Sequence, residues 1–187
     1  LAPGASASSN QSALVAVDRA ATKAGLAVTR MDFPYTLAGR RAPDRPPVLI
    51  ATVINEAASL AAGTALAPER LFLGGRSMGG RVCSMAVAEG LPAAGLVLIS
   101  YPLHPPGRPD NMRTDHFGRL DLPCLFVSGS RDAFGSPAEL ELALALIPGP
   151  VTLHYIERGD HGLRGRDAEV AALVAEWLTD QIPTRSS

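Results

Sequence analysis

Apolar residues recur every three to four positions through SALVAVDRAATKA, residues 12–24, and stop at Gly25, which predicts a helix with a glycine terminator. LAVTR at 26–30 then reads as a strand. After an arginine- and proline-rich loop, VLIATVINEAASLAA predicts a second helix near 48–62, and Pro68-Glu69 leads into a short strand at Arg70-Leu71-Phe72-Leu73. The remaining pattern predicts a helix over 78–89 ended by Gly90, strands at 95–100, 124–130 and 151–157, and helices at 137–147, opened by Pro137, and 167–181. Five strand candidates alternate with helices, and several are apolar at consecutive positions, as a sheet covered on both faces requires. The expected fold class is α/β: one domain over 1–187, with a three-layer, mostly parallel sheet and helices on both faces.

The chain of 187 residues is 47% hydrophobic, enough to build a core, and its formal net charge of −1 is spread without basic or acidic runs. A nucleic-acid partner is therefore not expected. The opening LAPGASASSNQ lacks a basic leader segment, and no apolar stretch approaches the roughly 20 residues that span a bilayer, so no membrane partner is expected and a cytoplasmic location is. Cys83 and Cys124 sit inside apolar segments and read as buried free thiols. The oligomeric state is not legible.

One junction carries chemistry. In GGRSMGGR, residues 74–81, Ser77 stands between an apolar run and a helix, with Gly75 two positions before it and Gly79 two positions after. A strand that turns at once into a helix leaves no room for side chains at those two positions, and the turn exposes the serine hydroxyl. This is the pattern of a nucleophile elbow. A glycine-rich turn or a phosphate cradle is the competing interpretation, though the Lys-Ser/Thr ending of a phosphate loop is absent.

A nucleophilic serine needs a base and an orienting acid, in the chain order Ser, Asp or Glu, His for this architecture. Asp132 closes CLFVSGSRD just past one strand, and His161 lies in ERGDHG just past the next. Asp160 is expected to shape its loop, His154 to sit within a strand, and His116 to be a solvated loop residue. His104, in YPLH, precedes Asp132 and is out of order for a base. It is a candidate for lining the substrate pocket or bracing a loop; Tyr101 and Arg76 are further pocket candidates. Arg76, Arg81, Arg40 and Arg41 either attract a carboxylate-bearing substrate or are simply solvated. The oxyanion donors expected are the N–H groups of Met78 and Ala5, with Gly4 allowing close approach. The four histidines show no paired ligand spacing, so neither a metal nor another cofactor is expected.

Taken together, FLGGRSMGGR, LVLISYPLHPPGRP, LPCLFVSGSRD and IERGDH resemble the dienelactone-hydrolase-like family of α/β-hydrolases, whose animal members include the third subunit of the NSL chromatin complex and a testis-expressed protein. The resemblance runs from LAPGA to the terminal helix. It implies a minimal α/β-hydrolase fold with Ser77, Asp132 and His161 at the family's serine, acid and histidine positions. It also implies strands preceding the oxyanion loop that this sequence does not contain, and Pro3-Gly4 replaces the His-Gly often found there. Only about 30 residues separate strand GLVLIS from Asp132, so no large lid is expected. The expected activity is hydrolysis of small soluble carboxylic esters or lactones, with a small-molecule ester as partner. Because some animal relatives are known as parts of assemblies, the alternative is a hydrolase-fold interaction module with little or no activity, using the proline-rich loop 101–117.

Overall fold

The computed structural model describes residues 1–67 and 70–182, so the Pro68-Glu69 lead-in lies outside the described residues. Helix α1 (Ser12–Lys23) buries Leu14, Val17 and Ala21, the apolar stripe of its sequence, and ends as expected before Gly25, whose φ is +88°. A single helical turn, α2 (Pro34–Leu37), and the long α3 (Pro46–Thr64) follow. The chain then alternates through β1 (Phe72–Arg76), α4 (Met78–Ala88), β2 (Gly95–Ile99), a 3₁₀ turn (Phe117–Arg119), β3 (Cys124–Gly129), α5 (Pro137–Leu144), β4 (Val151–Ile156) and α6 (Asp167–Asp180). Helix α5 opens with a full capping box, in which the Glu139 amide donates to Ser136 Oγ while the Ser136 amide donates to the Glu139 carboxylate.

The four strands pair in parallel in the order β1-β2-β3-β4. Their alternation divides the core into two layers. Leu96, Leu98, Cys124 and Phe126 face α3, α4 and α5, while Val97, Ile99, Leu125 and Val127 face α1 and α6. Every residue of β2 and β3 is buried, which explains the continuous apolar runs in these two segments. The result is a compact three-layer α/β fold.

Three expectations change. LAVTR joins no strand ladder, although the Leu1 amino group donates to Thr29 O at 2.6 Å and the Met31 amide to Leu1 O at 3.0 Å; Leu26 and Val28 pack on the α1–α6 layer. Its strand-like composition reflects half-burial rather than pairing. Strand β1 begins two residues later than expected and continues through Gly74, Gly75 and Arg76. Glycines are usually strand breakers, but a Cβ on Gly74 would stand 2.4 Å from Val97 O, so β1 and β2 need the bare backbone there. Finally, α3 is by length and composition apolar enough to cross a membrane, contrary to the expected absence of such a stretch. It lays Leu49, Ile50, Val53 and Ala57 against the core beside α4.

Both cysteines are free and buried, as expected. A cavity of about 890 Å³ runs along the outer edge of β1, lined among others by Val28, Met31, Val53, Leu71 and Cys83. A second, of about 390 Å³, lies between Ser8, Tyr35 and Arg41. Ser77, Asp132 and His161 line neither.

Candidate active site

Because all four strands are parallel, the loops that follow them emerge at one edge of the sheet, where ligands of open α/β sheets bind. Ser77 follows β1, Asp132 follows β3 and His161 follows β4. Ser77 occupies a strained conformation, φ 51° and ψ −118°, at the switch from β1 to α4. Its own amide donates to Ile99 O at 2.8 Å and its carbonyl accepts from the Arg81 amide at 3.1 Å, so the strained residue is held from both sides. A Cβ on Gly75 would meet Ala2 O at 2.2 Å, and one on Gly79 would meet Ala2 O at 2.2 Å and Pro3 O at 2.5 Å. The two glycines therefore admit the backbone of the Ala2–Pro3 segment into the turn.

The three polar side chains form one line of contacts. Ser77 Oγ lies 2.8 Å from His161 Nε2, and His161 Nδ1 lies 2.8 Å from Asp132 Oδ2 and 3.0 Å from Oδ1. The Asp132 side chain is 2% exposed, whereas that of His161 is 19% exposed, so the acid is shielded while the imidazole reaches solvent. Oδ1 of Asp132 also accepts from the Phe134 amide at 2.8 Å. The acid and histidine loops are joined by backbone, the Arg131 amide donating to Gly159 O at 2.8 Å and the Arg158 amide to Ser130 Oγ at 2.8 Å. Asp160 turns its carboxylate to the Leu163 amide, at 3.0 Å, within its own loop.

Ala2 bridges to Gly75 in parallel, which carries Pro3–Ala5 past the start of α4. The Gly4 amide donates to Gln11 Oε1 at 3.1 Å, pinning this loop. Among the described residues, neither the Met78 nor the Ala5 N–H makes a hydrogen bond with protein.

The pocket candidates have other engagements. The Arg76 guanidinium donates to the His161 carbonyl at 2.6 Å. Burial pulls its pKa below the usual arginine value, while the charges of Asp132, Asp160 and Asp167 act in the opposite sense. The Tyr101 hydroxyl donates to Arg113 O at 2.7 Å, and burial raises its pKa. His104 is buried, with Nδ1 2.8 Å from Pro105 O, while its Nε2 stands 3.5 Å from Glu139 Oε2 and makes no hydrogen bond. Arg40 pairs with Asp44 at 2.8 Å.

Two features escape sequence reasoning. Phe134 stacks on the His161 ring, with centroids 3.9 Å apart and planes 26° from parallel. Its place two residues after Asp132 is the only local signal. His116 is not a solvated loop residue: it is buried, with Nε2 2.7 Å from Ser84 Oγ, and burial together with the charges of Arg81 and Arg119 lowers its pKa to about 4. Nothing in TDHF announces that contact, which depends on α4. Among the described residues no group of three or more His, Cys, Asp or Glu side chains has metal-binding geometry.

Residues 1–179 match the alpha/beta hydrolase domain family over almost the whole chain. The chain belongs to that family. Solved α/β-hydrolases superpose on it closely. An α-β serine hydrolase homologue from Coxiella burnetii is 16% identical with a TM-score of 0.78, over 95% of this chain and 83% of its own. Dienelactone hydrolase from Anabaena variabilis is 22% identical with a TM-score of 0.76, over 96% of this chain and 83% of its own. A monoacylglycerol lipase from Paleococcus ferrophilus is 15% identical with a TM-score of 0.77, over 97% and 93%. At these identities the likeness is one of fold.

Proposed function

We propose that this α/β-hydrolase is a serine hydrolase that cleaves small soluble carboxylic esters or lactones through an acyl-enzyme. The observation that carries the reading is the unbroken contact line Ser77 Oγ, His161 Nε2, His161 Nδ1, Asp132 at 2.8 Å per step. Ser77 Oγ attacks the ester carbonyl carbon while His161 Nε2 takes the hydroxyl proton. The carbonyl π pair moves to oxygen, where the Met78 and Ala5 N–H groups hold the charge. Asp132 keeps the Nδ1–H tautomer and stabilises the imidazolium. Collapse of the tetrahedral intermediate breaks the bond to the alcohol oxygen, which leaves with the proton from Nε2. Water, deprotonated by His161, then attacks the acyl-enzyme and releases the acid.

The segment 100–123, between β2 and β3, has the 3₁₀ turn Phe117–Arg119 as its only helical element, so no lid domain is inserted there. A site without an inserted lid domain favours small substrates, and rapid cleavage of long-chain triglycerides would contradict that part of the reading. The neighbours named dienelactone hydrolase and monoacylglycerol lipase fit the same chemistry. The test is reaction with a fluorophosphonate probe and with short p-nitrophenyl esters, read by intact mass and by nitrophenol release. A single adduct and turnover that both disappear in Ser77→Ala are expected; an unlabelled, inactive wild type overturns the reading and turns attention to the interaction-module alternative.

A further inference from the structure

Arg76 lies between Gly75 and Ser77, at the one variable position inside the elbow before the serine. Its side chain does not remain with its own strand. One guanidinium nitrogen, Nη2, donates to the His161 carbonyl 85 positions away at 2.6 Å, and the other, Nη1, lies 3.6 Å from where a Cβ on Gly4 would stand. The guanidinium is thus wedged between the loop that presents Ala5 and the loop that presents His161. The bond it makes is to the backbone of the residue whose imidazole faces Ser77, so it sets where that backbone sits relative to the elbow. Apart from the Ser77 Oγ–His161 Nε2 contact, the other ties on the histidine loop run to the acid loop and within itself, through the Arg131 amide to Gly159 O and the Leu163 amide to Asp160. Arg76 is a direct link from the serine's own segment.

We propose that Arg76 is a positioning residue that clamps the His161 loop to the nucleophile elbow through its charge-assisted bond to the His161 carbonyl. The inference rests on the serine-hydrolase reading for its catalytic consequence, but the clamp itself has a readout that does not. It also separates Arg76 from a substrate-carboxylate role, in which the guanidinium would face the ligand and removing it would weaken binding of anionic esters alone. A charged donor on a carbonyl is stronger than a neutral one, and loss of the bond frees a loop that must hold Nε2 within 2.8 Å of Oγ. Misplacement by about 1 Å costs about a hundredfold in rate.

The experiment compares full-length wild type, Arg76→Met and Arg76→Lys. Hydrogen exchange at the Gly159, Leu163 and Arg166 amides, all bonded within the loop, reads the clamp without any substrate. Exchange about tenfold faster in Arg76→Met, partly restored in Arg76→Lys, is expected, and unchanged exchange overturns the proposal. Kinetics with neutral p-nitrophenyl butyrate and the anionic mono-p-nitrophenyl glutarate read the consequence. The expected result is kcat and the fluorophosphonate labelling rate falling together by ten- to a hundredfold, with KM unchanged for both esters and partial recovery in the lysine variant. A rise in KM confined to the anionic ester, with kcat intact, overturns the proposal in favour of substrate binding. Should Arg76→Met fail to fold, Arg76→Gln replaces it in both measurements. A wild type that takes no label fails the serine-hydrolase reading, while the exchange comparison still decides the clamp.

Discussion

The Gly79→Ala substitution adds one methyl group where the backbone has no space for it. That Cβ would stand 2.2 Å from Ala2 O, 2.5 Å from Ala2 C and 2.5 Å from Pro3 O, where ordinary contacts begin near 3.4 Å. None of these atoms belongs to a side chain that can rotate away, so either the Ala2–Pro3 backbone retreats by more than 1 Å or α4 does. Ala2 is bound to β1 by the bonds Ala2 N to Gly74 O, 2.9 Å, and Arg76 N to Ala2 O, 3.1 Å, and both must stretch if it moves. Overpacking of this kind costs about 1–3 kcal/mol, which for a chain of this size lowers Tm by about 2–12 °C. The same retreat moves the loop that carries the proposed oxyanion donor, the Ala5 N–H, and on that proposal a further loss of about 10²–10³ in kcat is expected. Differential scanning fluorimetry and p-nitrophenyl butyrate hydrolysis measure the two effects on one preparation. An alanine variant with wild-type Tm and wild-type kcat would refute the argument that the bare backbone at position 79 sets the elbow against the first loop.

Asp132→Asn keeps the volume and the acceptor for the Phe134 amide but presents an NH₂ to His161 Nδ1, favouring the tautomer with a proton on Nε2; kcat should fall by about 10⁴, or ~5.4 kcal/mol, with fluorophosphonate labelling slowed in step, and a loss under tenfold would contradict the assigned role. His116 titrates near 6.5 unfolded but near 4 folded, so between these values the unfolded chain holds more protons and the stability contribution present above pH 6.5 is lost as pH falls towards 4. Its full size is up to about 3 kcal/mol, and urea denaturation at pH 7 and 5 should show a steeper loss in wild type than in His116→Gln; parallel losses would refute it. Burial raises the thiol pKa of Cys83 to about 11 and of Cys124 to about 12, so neither should react with Ellman's reagent at pH 8 until the protein is unfolded, and rapid native reaction of either would refute the argument from burial.

The alternation of helix and strand, and the chain order of Ser77, Asp132 and His161, each just past a strand, are properties of local spacing, and they were legible residue by residue. Parallel pairing alone then sends the three following loops to one edge, so their convergence needs no detailed packing. LAVTR and GGR show where local composition misleads: β-branched residues fit any half-buried extended segment, and glycine is excluded from strands only where no neighbour needs the space it leaves. Side-chain direction was not legible, because it depends on partners distant in sequence. Arg76 turns to His161 across 85 positions, His116 to Ser84 across 32, and Phe134 onto a ring 27 residues further along its chain. Periodicity carries no information about such pairs. The sequence by itself determined which residues reach the edge of the sheet where the strands end. The tertiary structure alone decided which of them point at one another, since burial leaves each polar group only the partners that the packed loops bring within hydrogen-bonding distance.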